Sequence, residues 1–346
     1  MALFYDLKPE MGNRESVTIS DGCGMSAHIL TYGATVQRLN VPDARGDIKD
    51  VILGYDDPAE YDMQDVYFGA VIGRVANRIK DACYFVQGRK VALAPNQPYG
   101  MLHGGPEGFA YKTWTVIRKN ARSVLLRLYS PDGDQGFPGN LTTDVLYSMD
   151  TPGQLSIRYH AVTDFDTPVN LTNHMYFNLD GHESGLVDDH RLMLSSRRYT
   201  VTDNDLVPTG EIRPVNGTLL DFSELRRLGP SLHAPEHAVT KGLDHNFVLS
   251  SACSDGEVPA AVLKAARSGI TMTVYTDRPA MQVYSAGAMS RRGGKDSAVY
   301  EPFQAVCLET QGFPDALHHF NFPSIMVKAG ESFDSETIYR FTAEED

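Results

Sequence analysis

The sequence predicts an all-β protein, a large antiparallel β-sandwich with few short helices. Residues alternate in hydrophobicity with a period of two along most of the 346 positions, and β-branched and aromatic runs recur. Clusters of Gly, Pro, Asn and Asp separate these runs, as turns do between strands. Helical periodicity is scarce. Because few helices are available to cover a parallel sheet, antiparallel sheets packed face to face are favoured.

The individual elements follow from these patterns. Two hairpins are the clearest: residues 84–86 with 90–93 across the turn 87–89, and residues 114–118 with 123–129. Further strands are predicted at residues 36–41, 51–53, 141–148, 155–162, 169–179, 191–194, 247–249, 270–275, 281–284, 304–309 and 338–342. Short helical turns are predicted at residues 58–62 and 222–228, the second beginning at Asp221 and ending at Gly229-Pro230.

The chain shows neither an internal repeat nor a long linker, so residues 1–346 are predicted to form one domain. Its 31 basic and 44 acidic residues give a net charge of −13. This charge would repel a phosphate backbone and an anionic membrane surface, so neither nucleic acid nor membrane is expected as a partner.

The sequence indicates a cytoplasmic protein. No stretch approaches the ~20 apolar residues of a spanning helix, and the first residues lack the basic start and apolar run of a signal peptide. Cys23, Cys83, Cys253 and Cys307 lie far apart without a Cys-x-x-Cys pair, which is typical of reduced, buried thiols.

Motifs for metals, nucleotides and several cofactors are absent from the sequence. There is no Gly-x-x-x-x-Gly-Lys loop, no Gly-x-Gly-x-x-Gly turn and no Gly-x-Ser-x-Gly elbow. Gly293-Gly294-Lys295 is interpreted as a surface loop. His182, His190 and the adjacent His318-His319 lack the spacing of a metal site, so structural or surface roles are favoured and no metal is expected.

The most informative segment covers residues 168–181, where alternate residues of a strand would share a face. One face would carry Asn170, Thr172, His174, Tyr176 and Asn178, and the other Leu171, Asn173, Met175, Phe177 and Leu179. The first face forms hydrogen bonds throughout yet has no Lys, Glu or Asp, unlike a typical solvated strand face. Two interpretations remain open: a concave polar binding surface, or a buried hydrogen-bonded ladder with a core histidine.

Glu309 follows the apolar run at residues 303–308. A carboxylate that ends such a strand is expected to be partly desolvated, which raises its pKa toward the range of a general base. Glu309 is therefore a candidate proton acceptor. The alternative is a strand-end glutamate that points into solvent.

Residues 73–79 and 101–105 add groups suited to sugar hydroxyls. Arg78 offers a rigid fork of donors, Asn77 offers both a donor and an acceptor, and His103 precedes two glycines that would let a ligand approach closely. Asp244 stands just before a predicted strand, and Gln282 shares a strand face with Tyr284. Each feature is nonspecific when taken alone, and by themselves Arg78 and His103 are better interpreted as a surface arginine and a turn histidine.

Taken together, five segments resemble aldose 1-epimerase, the galactose mutarotase family. They are Gly-Arg-Val-Ala-Asn77-Arg78-Ile, Leu-His103-Gly-Gly, Asn-Leu-Thr-Asn-His174-Met-Tyr-Phe-Asn-Leu, Leu-Asp244-His-Asn-Phe and Cys-Leu-Glu309-Thr-Gln. Their order and approximate spacing also match, and the resemblance runs from about Thr18 to the C-terminal strand.

The resemblance implies a β-supersandwich that interconverts the α and β anomers of free hexoses such as galactose and glucose without a cofactor. It implies that Glu309 is the general base, that His174 is the general acid toward the ring oxygen, and that His103 assists near that oxygen. It further implies that the sugar hydroxyls are held by Asn77, Arg78, Tyr176, Asp244 and Gln282. The expected partner is a small aldose, and we expect a monomer or weak homodimer.

Two departures from the family pattern are visible. Met175 stands where Ser is common, and strand alternation predicts that it points away from the polar face. Gly312-Phe313 stands where Asn-Trp is common, which would change a wall of the site and the sugar preference.

Two competing functions remain. A hexose-6-phosphate epimerase would need several Arg or Lys side chains around the phosphate, whereas Arg78 is the one basic residue in the proposed set. A non-catalytic sugar-binding protein would keep Asn77, Arg78 and Asp244 but would not need both proton-transfer groups.

Overall fold

The structure is a computed structural model that describes residues 14–86 and 88–344. The first strands are β1 Ser16–Ser20, β2 Ser26–Leu30, β3 Thr35–Pro42, β4 Ile48–Asp50, β5 Val71–Ile72, β6 Arg78–Lys80, β7 Cys83–Val86, β8 Arg89–Ala92 and β9 Gly100–Leu102. They are followed by β10 Thr115–Lys119, β11 Ser123–Ser130, β12 Leu141–Ser148, β13 Gln154–Thr163, β14 Thr167–Pro168, β15 Thr172–Asn173, β16 Arg191–Leu194, β17 Ser196–Thr202, β18 Pro208–Pro214 and β19 Arg226–Arg227.

The remaining strands are β20 Asp244–Leu249, β21 Ala261–Lys264, β22 Ile270–Thr276, β23 Ala280–Tyr284, β24 Arg292–Gly293, β25 Val299–Tyr300, β26 Cys307–Gln311, β27 Met326–Val327 and β28 Ser332–Ala343. A short α-helix, α1, covers Gly229–Leu232. Turns of 3₁₀ helix cover Pro58–Met63, Phe109–Tyr111, Asp134–Gly136, Pro235–His237, Ser251–Cys253, Lys295–Ser297 and Ala316–His318.

Three antiparallel sheets dominate the architecture. The largest has nine strands in the order β10-β11-β12-β13-β28-β22-β21-β16-β19. A second sheet has the order β18-β17-β20-β23-β26, and a third contains β1 to β4 in sequence order. The neighbouring strands of these sheets run antiparallel, which confirms the predicted all-β class.

The main hydrophobic core fills the space between the sheets. Val145 and Tyr147 enter it from the nine-stranded sheet, Met281 and Leu308 from the five-stranded sheet, and Ile29 from the third. Buried and half-buried residues alternate along β12 without interruption, as expected for a strand with one face toward the core. Each buried aliphatic side chain of this kind contributes about 1.5–3 kcal/mol to the hydrophobic free energy of folding.

The structure confirms many of the predicted elements. The hairpin β7–β8 and the hairpin β10–β11 form where expected, although the turn residue Gln87 lies outside the described residues. The strands at 141–148 and 191–194 have the predicted bounds. The first helical turn is also present, and the Asp57 side chain accepts a hydrogen bond from the backbone of Ala59 at its start.

The strand predicted over residues 169–179 is wrong as a continuous strand, and only β15 is regular there. Its backbone pairs with several partners in turn: β5 for β15, Val75 for Asn170, and both Ile52 and Val306 for Phe177. The segment therefore crosses between structural units rather than following one neighbouring strand. The strand predicted at 51–53 is likewise reduced to the single bridge of Ile52.

The helical turn predicted over residues 222–228 is also wrong. Residues 226–227 form the edge strand β19 beside β16, and the helix α1 begins at Gly229 instead of ending there. Pro230 lies in the first turn of α1, where its missing N–H is not needed and its fixed φ favours helix. Asp221 instead accepts hydrogen bonds from Ser223, which makes a local turn.

Among the described helices, none has the length and apolar character that crossing a membrane requires. All four cysteines are free thiols, and three of them are buried as expected, whereas Cys23 is exposed.

Lys295 corrects the interpretation of residues 293–295 as a surface loop, because its side chain is fully buried. Its ammonium donates to Asp50 at 2.5 Å and to the backbone carbonyls of Gln37 and Ile52 at 2.9 and 2.7 Å. Burial lowers the pKa of Lys295, and the charge of Asp50 opposes that shift. The loop that follows β24 is therefore fixed to β4 by a buried ion pair.

Asp50→Asn should lower the free energy of unfolding by about 3 kcal/mol or more, because it leaves the Lys295 ammonium buried without a counter-charge. Urea unfolding followed by circular dichroism measures this loss. Asp189→Asn is the matched control, since Asp189 pairs with Arg227 on the surface and should change stability by less than about 1 kcal/mol. Equal effects of the two variants would contradict the buried-pair interpretation.

Candidate active site

The candidate site lies on the face of the five-stranded sheet that points away from the main core. Strand register places Asn246, Gln282 and Glu309 opposite one another across β20, β23 and β26. Their chain neighbours Phe247, Met281 and Leu308 belong to the main core, as alternation along a strand requires. The polar side chains of the three strands therefore share the other face.

Two apolar clusters border the polar side chains on this face of the sheet and leave a polar band between them. On one side, Tyr284 and Cys307 join a cluster around Tyr176 and Phe68. On the other side, Ala280 and Phe313 join a cluster around Val75 and Ile79. We call Asp244, Asn246, Gln282, Glu309 and Gln311 the polar band. Because both borders are apolar, charges within the band are poorly solvated.

The segment around β15 brings His174 to this band. Its Nε2 lies 3.7 Å from Oε1 of Glu309, and both side chains are buried. The imidazole stacks on the ring of Tyr176, with centroids 5.0 Å apart and planes 14° apart. Met175 and Phe177 pack into the main core, so side chains alternate as predicted although the backbone is not one regular strand.

His103 is fixed by a reciprocal pair of hydrogen bonds with Asn77. The His103 N–H donates to the Asn77 carbonyl at 2.9 Å, and the Asn77 N–H donates to Nδ1 of His103 at 3.2 Å. Because Nδ1 accepts, the neutral ring carries its proton on Nε2. The next residue must be glycine, since a Cβ on Gly104 would lie 1.9 Å from the Gly73 carbonyl oxygen.

The remaining predicted binding groups gather beside the pair. Nε2 of Gln282 donates to Oδ1 of Asp244 at 2.5 Å. The charge of Arg78 acts on Asp244, on Glu309 and on His103. The structure therefore brings together the side chains that the sequence analysis selected from five separate segments.

The hydroxyl of Tyr176, which the resemblance assigns to a sugar hydroxyl, already has a partner within the protein. Its hydroxyl donates to the Val66 carbonyl at 2.7 Å, and its ring supports the imidazole of His174. Asn77 is also partly occupied, because its Oδ1 accepts from the backbone N–H of Arg78 at 2.9 Å.

Sequence reasoning missed Tyr67, which packs edge-on against His103 at 4.7 Å and lies nearly parallel to His174 at 6.0 Å. Tyr67 sits in a loop with φ of 60°, where no periodic pattern could indicate its direction. The rings of Tyr284 and His174 meet edge-on with their centroids 6.2 Å apart. In the sequence, the one indication of this position was that Tyr284 shares a strand face with Gln282.

Burial moves the pKa values of the central groups in opposite directions. The pKa of Glu309 is raised well above its usual range by burial and by the charge of Asp244, and Arg78 opposes this. Burial lowers the pKa of His174 to about 3. Burial, the charge of His174 and that of Arg78 hold the pKa of His103 well below its usual value. Burial therefore favours the uncharged form of both groups, and it favours a shared proton on Glu309 over one on His174.

His103, His174 and Glu309 also present three potential ligand atoms within 4.8 Å of one another. A histidine that binds a metal normally donates its other ring N–H to an acceptor. Nδ1 of His103 instead faces an N–H donor, so Nε2 could bind a cation only if the hydrogen bond from Asn77 were lost. The donor set therefore fits a histidine that donates through Nε2 better than a metal ligand.

Comparison with known proteins agrees with this geometry. Residues 15–340 match the family model for aldose 1-epimerase. The chain is 36% identical to aldose 1-epimerase of Escherichia coli over 98% of both chains. It is 38% identical to galactose mutarotase of Homo sapiens over 99% of this chain and 98% of the human protein.

Solved structures give the same assignment. An aldose epimerase homologue from C. elegans superposes with a TM-score of 0.90 at 30% identity, covering 96% of this chain and all of that chain. A galactose 1-epimerase from Lactobacillus acidophilus superposes with a TM-score of 0.84 at 25% identity, over 98% and 97% of the chains. The fold and site define a β-sandwich enzyme of the isomerase class. The chain belongs to the aldose 1-epimerase family.

The hydrogen bond from Asn77 predicts that neutral His103 is the Nε2–H tautomer. Long-range ¹H–¹⁵N spectra of protein with labelled histidine report this directly near neutral pH, and the His103→Gln variant assigns the signal. A ring protonated on Nδ1 would contradict the arrangement and would reopen the question of a metal at this site.

Proposed function

We propose that this protein interconverts the α and β anomers of free hexoses such as galactose and glucose. Glu309 acts as the base and His174 as the acid in opening and reclosing the ring. The observation that carries the proposal is the buried pair of these side chains, 3.7 Å apart in the polar band. The similarity to proteins named aldose 1-epimerase and galactose mutarotase supports the same reaction.

The pair supplies both proton transfers that ring opening needs. Glu309 takes the proton of the anomeric hydroxyl, and the electrons of that O–H bond form the C1 carbonyl. The bond from C1 to the ring oxygen breaks, and the ring oxygen takes the proton of His174. The open aldehyde then turns about its bond to C2 and recloses from the other face with the two roles reversed. A positioned acid or base typically contributes ~10²–10⁴ in rate.

The other side chains of the site hold and orient the sugar. Nε2–H of His103 is available to donate toward the ring oxygen, because its Nδ1 is occupied by Asn77. Asp244 and Gln282 form a joined acceptor and donor pair for vicinal hydroxyls. Arg78 and Asn77 supply further donors on the side of His103.

A neutral hexose fits this set better than a sugar phosphate does. Arg78 is the one basic side chain in the proposed binding set, and its charge already acts on Asp244 and Glu309. A phosphate normally needs several converging Arg or Lys groups. We further propose that the reaction takes place in the cytoplasm, on a substrate that diffuses in free form.

Glu309→Gln should reduce turnover at least ~10²-fold and leave sugar binding intact, because the amide keeps the shape of the side chain but cannot accept the anomeric proton. Polarimetry of freshly dissolved α-D-galactose and α-D-glucose measures the rate, with no added metal or nucleotide. Glu211→Gln makes the same change on the surface, where Glu211 pairs with Arg213, and should behave as wild type.

Unchanged turnover in Glu309→Gln would remove Glu309 from the mechanism. Tight competition by glucose 6-phosphate but not by glucose would favour the phosphosugar epimerase. Sugar binding without acceleration by the wild-type protein would favour a binding protein.

The profile of kcat/KM against pH should fall on the alkaline side when Glu309 loses its proton. The reaction needs one proton on the Glu309–His174 pair. In the free enzyme burial favours that proton on Glu309, and its transfer from Glu309 to His174 creates the reactive form. Above the raised pKa of Glu309 the pair has no proton to donate. Below the lowered pKa of His174, about 3, it would have no base.

This profile is measured by polarimetry across a buffer series, since kcat/KM reports the ionisations of the free enzyme. A fall in activity as the pH drops through the ordinary imidazole value of 6.5 would contradict the expected order of the two ionisations.

A further inference from the structure

Two amides of the polar band have no role in the mechanism described so far. Asn246 is 3% exposed and Gln311 is fully buried. The side-chain nitrogen and oxygen of both residues lack a hydrogen-bond partner among the described residues. An unsatisfied buried polar group costs about 1–3 kcal/mol, so two such amides in a native core require an explanation.

Gln311 lies next to the proposed base on the same strand, and Asn246 lies on the same face one strand beyond Gln282. Gln311 follows Glu309 by two residues on the same strand face, about 7 Å along β26. Asn246 lies opposite Gln282, which in turn lies opposite Glu309. Ala280, whose side chain is a single methyl group, lies opposite Gln311.

Glu309 and Gln282 also have atoms that need partners. Oε1 of Glu309 faces His174, whereas its Oε2 is buried without a partner. Nε2 of Gln282 is used by Asp244, and its Oε1 is buried without a partner. The face therefore holds unpaired acceptors from Glu309 and Gln282 together with unpaired donors and acceptors from Asn246 and Gln311.

A water molecule matches this set, since it can donate two hydrogen bonds and accept two. Buried waters usually make about three hydrogen bonds to groups of this kind. The sugar is a poorer match, because Gln311 is fully buried and borders the apolar cluster that contains Ala280 and Phe313.

We propose that Asn246 and Gln311 hold a buried water that donates a hydrogen bond to Oε2 of Glu309 and thereby positions the base. The inference rests on the proposed function, because it assumes that Glu309 takes the anomeric proton. Asn246 and Gln311 are positioning residues, since they act through the water and the carboxylate. A hydrogen bond to the ionised carboxylate favours that form.

Other charges and titratable groups also interact electrostatically with Glu309 and contribute to its ionisation. They are His174, Asp244, Arg78, Tyr176, Tyr284, Tyr339 and Cys307. None of them is changed by substitution of Gln311 or Asn246, so a shift caused by those substitutions reports the water.

Gln311→Met removes the amide and keeps most of the side-chain volume. We expect kcat to fall about tenfold and KM to stay within about twofold. The alkaline limb of the kcat/KM profile should move up by about one pH unit, which corresponds to one lost hydrogen bond to a charged group. Asn246→Leu should move the same limb in the same direction. Tyr159→Phe is the control, because it removes a buried polar group without a partner, a hydroxyl, from the nine-stranded sheet and should leave the alkaline limb in place.

A crystal structure of the wild-type chain, with and without galactose, completes the test even where a variant fails to fold. An ordered water within hydrogen-bond distance of Glu309 Oε2 and Gln311 in both states is the expected result. A sugar hydroxyl on Gln311, a rise in KM alone, or no water at Oε2 would overturn the proposal.

The proposal and the function on which it rests fail in different ways. If Glu309→Gln is inactive and Gln311→Met keeps the alkaline limb of the kcat/KM profile at the wild-type pH, only the inference about the water is wrong. If Glu309→Gln retains full turnover, the proposed mechanism itself is wrong.

Discussion

The burial of Glu309 beside His174 is the constraint on which the rest of the structure depends. A carboxylate and an imidazole in apolar surroundings are costly to charge, so they remain together only if the elements that carry them are held firmly. Glu309 stands on β26, whereas His174 belongs to a segment that pairs with several partners in turn. The main core packs the undersides of both elements, through Leu308 and Met175, and thereby fixes the 3.7 Å separation.

The two interpretations of the polar face at residues 170–178 turn out to be compatible. Asn178 donates to the carbonyls of Gly185 and Gln304, and Asn170 exchanges hydrogen bonds with the backbone of Gly312, as a buried ladder requires. His174 lies between these two anchors and faces Glu309. The ladder therefore holds His174 in place, and a single segment provides both this support and the proposed acid.

Much of the fold was predictable because period-two alternation is a local signal, and β12 shows it without interruption. The errors occur where distant partners decide the local structure. Arg226 and Arg227 extend a sheet edge, so pairing with β16 outweighs the helical pattern. Lys295 is buried because Asp50, far away in the chain, supplies its counter-charge. Likewise, the five motifs indicated the principal site residues, whereas Tyr67 lies on a loop that carries no periodic signal.

The departure at Gly312-Phe313 affects the support of the site more than its polar lining. A Cβ on Gly312 would lie 2.9 Å from Cγ2 of Ile325, so the close packing at this point favours glycine. Phe313 is buried and packs against Phe322 with ring centroids 5.0 Å apart. Both residues thus complete the apolar cluster that borders Gln311. Since that border keeps bulk water away from the proposed base, a change in its residues would act on the ionisation of Glu309 before it acted on any sugar hydroxyl.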